Sequence, residues 1–353
     1  MPIHERDPWR RAYFAATSCP ADIDIPTDDA DAYRWNPSHR WVYNKLRVVE
    51  SQGLECAPHG IQPTHYPVFS KPIFNLDGMG LGSRLLRDAN DYELHRQPGH
   101  MWMTYLVGQH ISTDTAVVDG IVHWVRHARG LPLPGGLFDY WTIEEEPRTD
   151  LEAYCTEWIR ANLAGYTGMV NFETIGGRII EVHLRVTDQW PDLYGPGWLE
   201  AVVQLYCNST WNYREPEGRR GYSVALFGPH GRIYSHPDAR VLRGARALPG
   251  VSSVQVTFHN DQPALNHAMP PGGFRLAVIN AWDLAAGFRA REQLARAFGL
   301  NAPFTGSEDA AGRDASTGDA AGGKKHPLRE PQYRSGEAVA SRPTKRFRTR
   351  SGR

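Results

Sequence analysis

The sequence is poor in cysteine and has no long apolar run. Its four cysteines, Cys19, Cys56, Cys155 and Cys207, are scattered over 353 residues with no Cys-x-x-Cys pair. That spacing argues against a disulfide scaffold and a cysteine-built zinc site, and it suits buried free thiols in a reducing compartment. No apolar stretch approaches the ~20 residues that a membrane-spanning helix needs. The opening residues, MPIHERDPWRRAYF, lack the apolar core of a secretory signal. The expected setting is therefore cytoplasmic and without a membrane, and the match of Asn208-Ser-Thr to a glycosylation acceptor is read as coincidence. Neither sign of charge dominates: 39 Lys and Arg balance 39 Asp and Glu. The molecule as a whole is thus no electrostatic trap for nucleic acid or lipid. There is no Gly-Lys-Ser/Thr P-loop, no correctly spaced dinucleotide fingerprint and no internal repeat.

What is present is a chain 41% hydrophobic and 11% aromatic, enough for one large domain or two modest ones. Residues 1–35, with the acidic run DIDIPTDDADAY, read as irregular. Residues 36–210 read as a core and 211–301 as an α+β extension. Residues 302–353 turn to Gly, Ala, Ser and Asp and then to the basic end Arg342–Arg353, which reads as a disordered tail.

Within the core, apolar spacing predicts a helix from Asn36 to Gly53, capped by Ser38. Tyr66–Phe74 reads as a strand leading into the glycine-rich loop Asn75–Ser83. Strands are expected over Met101–Val107, Gln109–Val118 and Ile121–His127, and a loop over Pro132–Pro147. Thr149 and Glu152 have capping-box spacing and open a helix running to Leu163, and a second helix is expected over Gly197–Tyr206. The extension reads as a hairpin over Tyr222–Tyr234 turning at Gly228–Gly231, strands over Ser253–His259 and Phe274–Asn280, and a helix over Leu284–Phe298.

Two features carry chemistry. In the loop, Gly78, Gly80 and Gly82 alternate and Ser83 follows, so backbone amides can approach a phosphate without Cβ interference. Such turns are common, but Lys71 lies just upstream on the strand, within reach of phosphate oxygens that the loop would cover. The second feature is Asn171–Arg185, two strand-forming arms around Gly176-Gly177, with Glu173 on one arm and Glu181, His183 and Arg185 on the other. A two-residue turn pairs Glu173 with Ile180 and places the two glutamates on opposite faces. A longer, odd-numbered loop places Glu173 opposite Glu181 and Asn171 opposite His183. Two facing carboxylates repel unless a cation or solvent separates them, and magnesium accepts one or two carboxylates together with phosphates. The Gly-Gly sequence alone favours the short turn. His123 and His127 lie in a strand-like run without a nearby carboxylate or cysteine, a poor zinc site, and Asp188-Gln-Trp190 reads either as a substrate groove or as core.

The order of these parts resembles the ATP-grasp superfamily: Asn44-Lys45-Leu46, then Tyr66–Lys71, the glycine loop, Trp102–Gly108, and Asn171–Glu173 with Glu181–Arg185. The resemblance spans about Asn36 to Tyr206 and tips the hairpin reading toward the longer turn and a shared face. It implies an α+β ATP-grasp fold with nucleotide between two subdomains. Lys45 and Lys71 would contact phosphate, with the glycine loop closing over it. The backbone of Met103, Thr104, Tyr105 and Leu106 would read adenine. Glu173, Glu181 and His183 would hold Mg2+ or Mn2+, and Arg185 would stabilise the transferred phosphoryl group. The implied reaction is ATP- and magnesium-dependent activation of a carboxylate as an acyl phosphate, which an amine or other nucleophile then attacks.

The sequence departs from the family pattern at Thr104 and His110, where glutamates are usual, and at His183, where an asparagine is usual. Asn171, if it faces His183, would supply the missing amide oxygen. The segment before the first lysine is also too short for the full domain that most family members carry there, so substrate binding is expected to be rebuilt, supplied by a protein partner, or lost. The second reading is a catalytically impaired nucleotide-binding subunit; a nucleic-acid role rests on the basic tail alone.

Overall fold

The computed structural model describes residues 7–20, 22–215, 219–263 and 266–301. Its helices are α1 (Pro8–Arg11), α2 (Asp29–Trp35), α3 (Lys45–Glu50), α4 (Ala89–His95), α5 (Thr149–Asn162), α6 (Trp198–Asn208), α7 (Ala239–Arg246) and α8 (Leu284–Ala297). Its strands are β1 (Cys56–Pro58), β2 (Val68–Pro72), β3 (Arg84–Leu86), β4 (His100–Thr104), β5 (His110–Val118), β6 (Ile121–Leu133), β7 (Leu137–Ile143), β8 (Gly168–Ile175), β9 (Arg178–His183), β10 (Gly221–Gly228), β11 (Val251–Val256) and β12 (Phe274–Ala281). They form a small antiparallel sheet, β1-β4-β2-β3, and a large one, β11-β12-β10-β7-β6-β5-β8-β9. The large sheet continues across residue 211, since β10 pairs with β7. The tail expected to be disordered lies outside the described residues. Among the described residues no helix is long and apolar enough to cross a membrane.

Period-two alternation gives the large sheet two different faces. One face presents Val117, Val170, Phe172 and Val182 to Cys155, Trp158 and Ile159 of α5. The other carries Ala116, Trp124, Trp141 and Met169 against Trp190, Tyr194 and Trp198, together with Phe14 and Ile25 from the N-terminal segment. Full burial of side chains of this size is worth about 1.5–3 kcal/mol each, so the N-terminal segment is part of the core. A smaller apolar cluster, including Val49, Phe69, Met101, Met103 and Ile180, joins β9 to the small sheet.

Several expectations are corrected. The helix expected over Asn36–Gly53 divides into a 3₁₀ turn (Arg40–Tyr43) and α3, because Asn44 leaves helical geometry and accepts a bond from the Arg47 N–H. The acidic run is not wholly irregular: Asp28 caps α2. Pro132–Pro147 contains the end of β6 and all of β7, where alternating Phe138, Tyr140 and Thr142 outweigh the flanking Pro and Gly. Thr149 is the first helical residue of α5 and Arg148 is its cap, with the Arg148 N–H donating to Glu152 at 3.2 Å. Tyr222–Tyr234 is not a hairpin, since β10 pairs with β7 and β12.

The central hairpin reconciles the two geometries that the sequence set against each other. Ile175 pairs with Arg178 around Gly176-Gly177, so the turn is the short one and the longer turn is not used. Both glycines have positive φ, 57° and 78°, as a type I′ turn requires. The register then shifts between Thr174 and Glu173: Thr174 pairs with Ile179 but Glu173 pairs with Glu181. Ile180 is the extra residue of a β-bulge. This one unpaired residue reverses the facing of β9 beyond it, so Glu173 and Glu181 share a face and Asn171 lies opposite His183.

A Cβ on Gly176 would lie 2.4 Å from the Val107 carbonyl oxygen, whereas one on Gly177 meets nothing within 4 Å. Gly177→Ala is expected to cost about 1 kcal/mol through the left-handed backbone alone. Gly176→Ala is expected to cost about 2–3 kcal/mol, because backbone must also move. Urea unfolding of the two variants measures the difference.

Candidate functional site

The site is built outward from the bulge. The Ile180 side chain packs into the cluster with Met101 and Met103, and its carbonyl, freed from the ladder, accepts from Lys71 Nζ at 2.7 Å. Lys71 is 2% exposed in the middle of β2. Burial pushes its ammonium down to about 8, against the pull of Glu181. Lys45 is the first residue of α3, and its N–H is tied to the Ile73 carbonyl at 2.9 Å just beyond β2. The break at Asn44 therefore aims the Lys45 side chain at the hairpin, where Nζ lies 2.5 Å from Glu181 Oε1.

From Glu181 a row of alternating charges crosses the sheet face. His183 Nε2 lies 3.7 Å from Glu181 Oε2, and His183 Nδ1 lies 3.0 Å from both oxygens of Asp29. Asp29 also accepts from Arg185 Nε at 3.0 Å and from the Tyr43 hydroxyl at 3.3 Å. Burial works against the Asp29 charge, but His183 and Arg185 hold its carboxyl well below the ordinary range. Burial likewise opposes an imidazolium at His183, yet Asp29 carries it above its usual value. On the neighbouring strand, His110 Nε2 lies 3.1 Å from Glu173 Oε2. Burial is again outweighed, by His110, His183 and Arg185, and Glu173 is held at about 2. Farther along, Asp188 lies 3.1 Å from Arg10 and 3.6 Å from Arg275. Trp190 is buried core, 3% exposed.

Lys45, Lys71, Glu181, His183 and Arg185 are thus tied together, directly or through Ile180 and Asp29, and Glu173 stands opposite Glu181 in the ladder. Asn171 is opposite His183 as expected, but its amide nitrogen donates to Ser112 at 2.8 Å and Asp114 at 2.9 Å. The glycine loop is shaped by Asn75, whose side chain accepts from the Asp77 and Gly78 N–H groups and donates to the Gly78 carbonyl. Gly78, Met79, Gly80 and Gly82 all have positive φ, and the Ser83 N–H closes on the Gly80 carbonyl. On the segment expected to read adenine, Met103 is buried and pairs with Cys56. The Thr104 N–H and hydroxyl both donate to the Glu55 carbonyl, which commits Thr104 to the end of β4 inside the small sheet; Tyr105 and Leu106 follow beyond β4.

Asp29 is the residue the sequence reading missed. Its one signal was the run Thr27-Asp28-Asp29-Ala30, a helix-cap pattern hidden in a generally acidic stretch.

The expected metal set does not fit a resident divalent cation. Among the described residues no group of three His, Cys, Asp or Glu side chains is arranged to hold a metal ion. The His183 ring is turned by Asp29 and offers a nitrogen where magnesium requires oxygen. Each carboxylate already has a cationic or proton-bearing partner from the chain itself, Lys45 for Glu181 and His110 for Glu173.

The sequence matches no protein-family model and no curated protein sequence. Solved structures do match. An L-amino acid ligase from Bacillus licheniformis aligns with a TM-score of 0.57 at 13% identity, over 82% of this chain and 82% of that one. A carboxyaminoimidazole ribonucleotide synthase from Aspergillus clavatus, complexed with ATP, aligns at 0.53 with 10% identity, over 73% and 74%. A phosphoribosylamine–glycine ligase from Thermotoga maritima aligns at 0.52 with 14% identity, over 79% and 84%. At these identities the likeness is one of fold, and it bears out the α+β ATP-grasp architecture that the motif order implied.

Two stability effects follow. Asp29→Ala removes the partner of two buried cationic groups and is expected to cost about 3–5 kcal/mol in urea unfolding. Lys71 works in the opposite direction. A base whose folded pKa lies below its unfolded value opposes folding wherever the unfolded chain holds the extra proton. For Lys71 that cost is full below pH about 8 and fades as pH rises toward 10.5. Lys71→Met is expected to raise stability by about 1–2 kcal/mol at pH 7, and by less at pH 10.

Proposed function

We propose that the chain is an ATP-dependent ligase that activates a carboxylate as an acyl phosphate and joins it to an amine or related nucleophile. The observation that carries this reading is the convergence of Lys45, Lys71 and Arg185 on one sheet face beside Glu181, within a fold shared with ligases. Here the substrate carboxylate attacks the γ-phosphorus of ATP, the bond to the ADP oxygen breaks, and the ADP departs. The amine then attacks the acyl carbon, and phosphate leaves with the C–O electron pair. Such chemistry needs positioning and neutralisation of charge more than a covalent protein intermediate. Lys45 and Lys71 meet the phosphates, Arg185 meets the acyl phosphate, and the glycine loop covers the nucleotide. Adenine recognition falls to the backbone at the end of β4 and just beyond it, where the Thr104 N–H is already bonded to the Glu55 carbonyl. The N-terminal segment contributes to both site and core, with Asp29 reaching the site and Phe14 and Ile25 the core.

The second reading, a nucleotide-binding subunit that no longer turns over, is favoured by one observation. Arg185 Nε is already held by Asp29, an internal carboxylate where a substrate group would be stabilised.

ATP at a hundredfold above its dissociation constant is expected to raise the melting temperature by roughly 5 °C. Absence of any shift across the millimolar range would sink both readings. Phosphate release with ATP and a pooled set of amino acids supports the ligase, while stabilisation without release supports the second reading.

A further inference from the structure

We infer that this site receives nucleotide phosphates without a divalent cation, the Lys45 ammonium acting as the bridge between the carboxylate hairpin and phosphate. The inference rests on the nucleotide reading above and deepens it.

The bulge at Ile180 brings Glu173 and Glu181 face to face, an arrangement that requires positive charge or solvent between them. The chain supplies that charge itself. Lys45 Nζ is 2.5 Å from Glu181 Oε1, and Lys45 is only 6% exposed. Its backbone is pinned by the 2.9 Å bond from its N–H to the Ile73 carbonyl, so the ammonium is delivered by the fold and does not swing in from solvent.

An ammonium has three N–H donors and no acceptor. One donor is used on Glu181, which leaves two for phosphate oxygens. A magnesium ion held here would supply positive charge between the carboxylates and phosphate; the Lys45 ammonium supplies such a charge with three N–H donors. Lys71 stands in the same charge field, held by the Ile180 carbonyl, and adds a second cation on the phosphate side.

The remaining oxygen positions of a divalent site are also taken or altered. Glu173 faces His110 Nε2 at 3.1 Å. The third ligand position carries the His183 ring, anchored through Nδ1 to both oxygens of Asp29 at 3.0 Å. Asn171 lies opposite His183; its amide nitrogen donates to Ser112 and Asp114, and its oxygen is a single neutral donor beside the two carboxylates. Displacing Lys45 to admit a metal would strand a buried ammonium and leave His183 as a nitrogen donor to a cation that selects oxygen.

Isothermal calorimetry with ATP on the full chain, in EDTA and then in excess MgCl2, tests the inference. The wild type is expected to bind ATP with dissociation constants that agree within threefold in the two buffers. Lys45→Met is expected to weaken binding in EDTA at least tenfold and to recover at least part of the loss in MgCl2, since a divalent ion then has the vacated place beside Glu181. ATP binding by the wild type that is tenfold or more tighter with Mg2+ overturns the inference and leaves the nucleotide reading standing. No ATP binding in either buffer overturns both. Circular dichroism reports whether Lys45→Met is folded; if it is not, the wild-type comparison alone decides.

Discussion

One unpaired residue governs this structure. Ile180 adds a single position to β9, and on a pleated strand a shift of one reverses every side chain beyond it. Without that shift, the type I′ turn at Gly176-Gly177 would send Glu181 and His183 to the face covered by α5. With it, they join Glu173 and Asn171 on the polar stretch of the opposite face. The same residue secures the small sheet: its side chain enters the methionine-rich cluster and its released carbonyl holds Lys71. Facing, packing and lysine placement are thus three results of one irregularity.

The charges arranged by the bulge are mutually dependent. Lys45, Glu181, His183, Asp29 and Arg185 alternate in sign or proton demand along a few ångströms of buried surface. Buried ion pairs of this kind seldom add much net stability, because desolvation offsets their attraction, but removing one member is costly. Their value here is orientation. Asp29 fixes the His183 ring and the Arg185 guanidinium together, and it comes from a helix more than 150 residues earlier in the chain. The N-terminal segment is accordingly part of the site.

Much of this was legible in the sequence where local pattern and tertiary environment agree. The alternation in β5 and β8 and the apolar spacing in α5 and α8 predicted the elements observed, and Lys71 before a glycine loop marked the small sheet. The hairpin was only half legible. Gly-Gly specifies the turn, but the bulge depends on Ile180 finding an apolar seat beside Met101 and Met103, which no local pattern encodes. The break at Asn44 escaped notice because apolar spacing continues smoothly across it, while its cause is a side-chain cap and an anchor to Ile73. Strand β7 was obscured by the prolines, glycines and acidic residues around it. Asp29 was hidden because an acidic run reads as solvated until its counter-charges are known.

The sheet also constrains how the molecule comes into being. Asn280, in the last strand, donates to the Tyr13 hydroxyl 267 positions earlier and to the Gln189 carbonyl. Arg275 on the same strand shares Asp188 with Arg10. At translation speeds of about 5–20 residues per second, Tyr13 leaves the ribosome roughly 15–50 s before its partner exists. During that interval the Tyr13 hydroxyl lacks its partner on β12, although the core that receives Phe14 and Ile25 is complete once α6 has been made. The polar ties between the beginning of the chain and β12 are thus among the last contacts to form, closing over an apolar seat that is already in place.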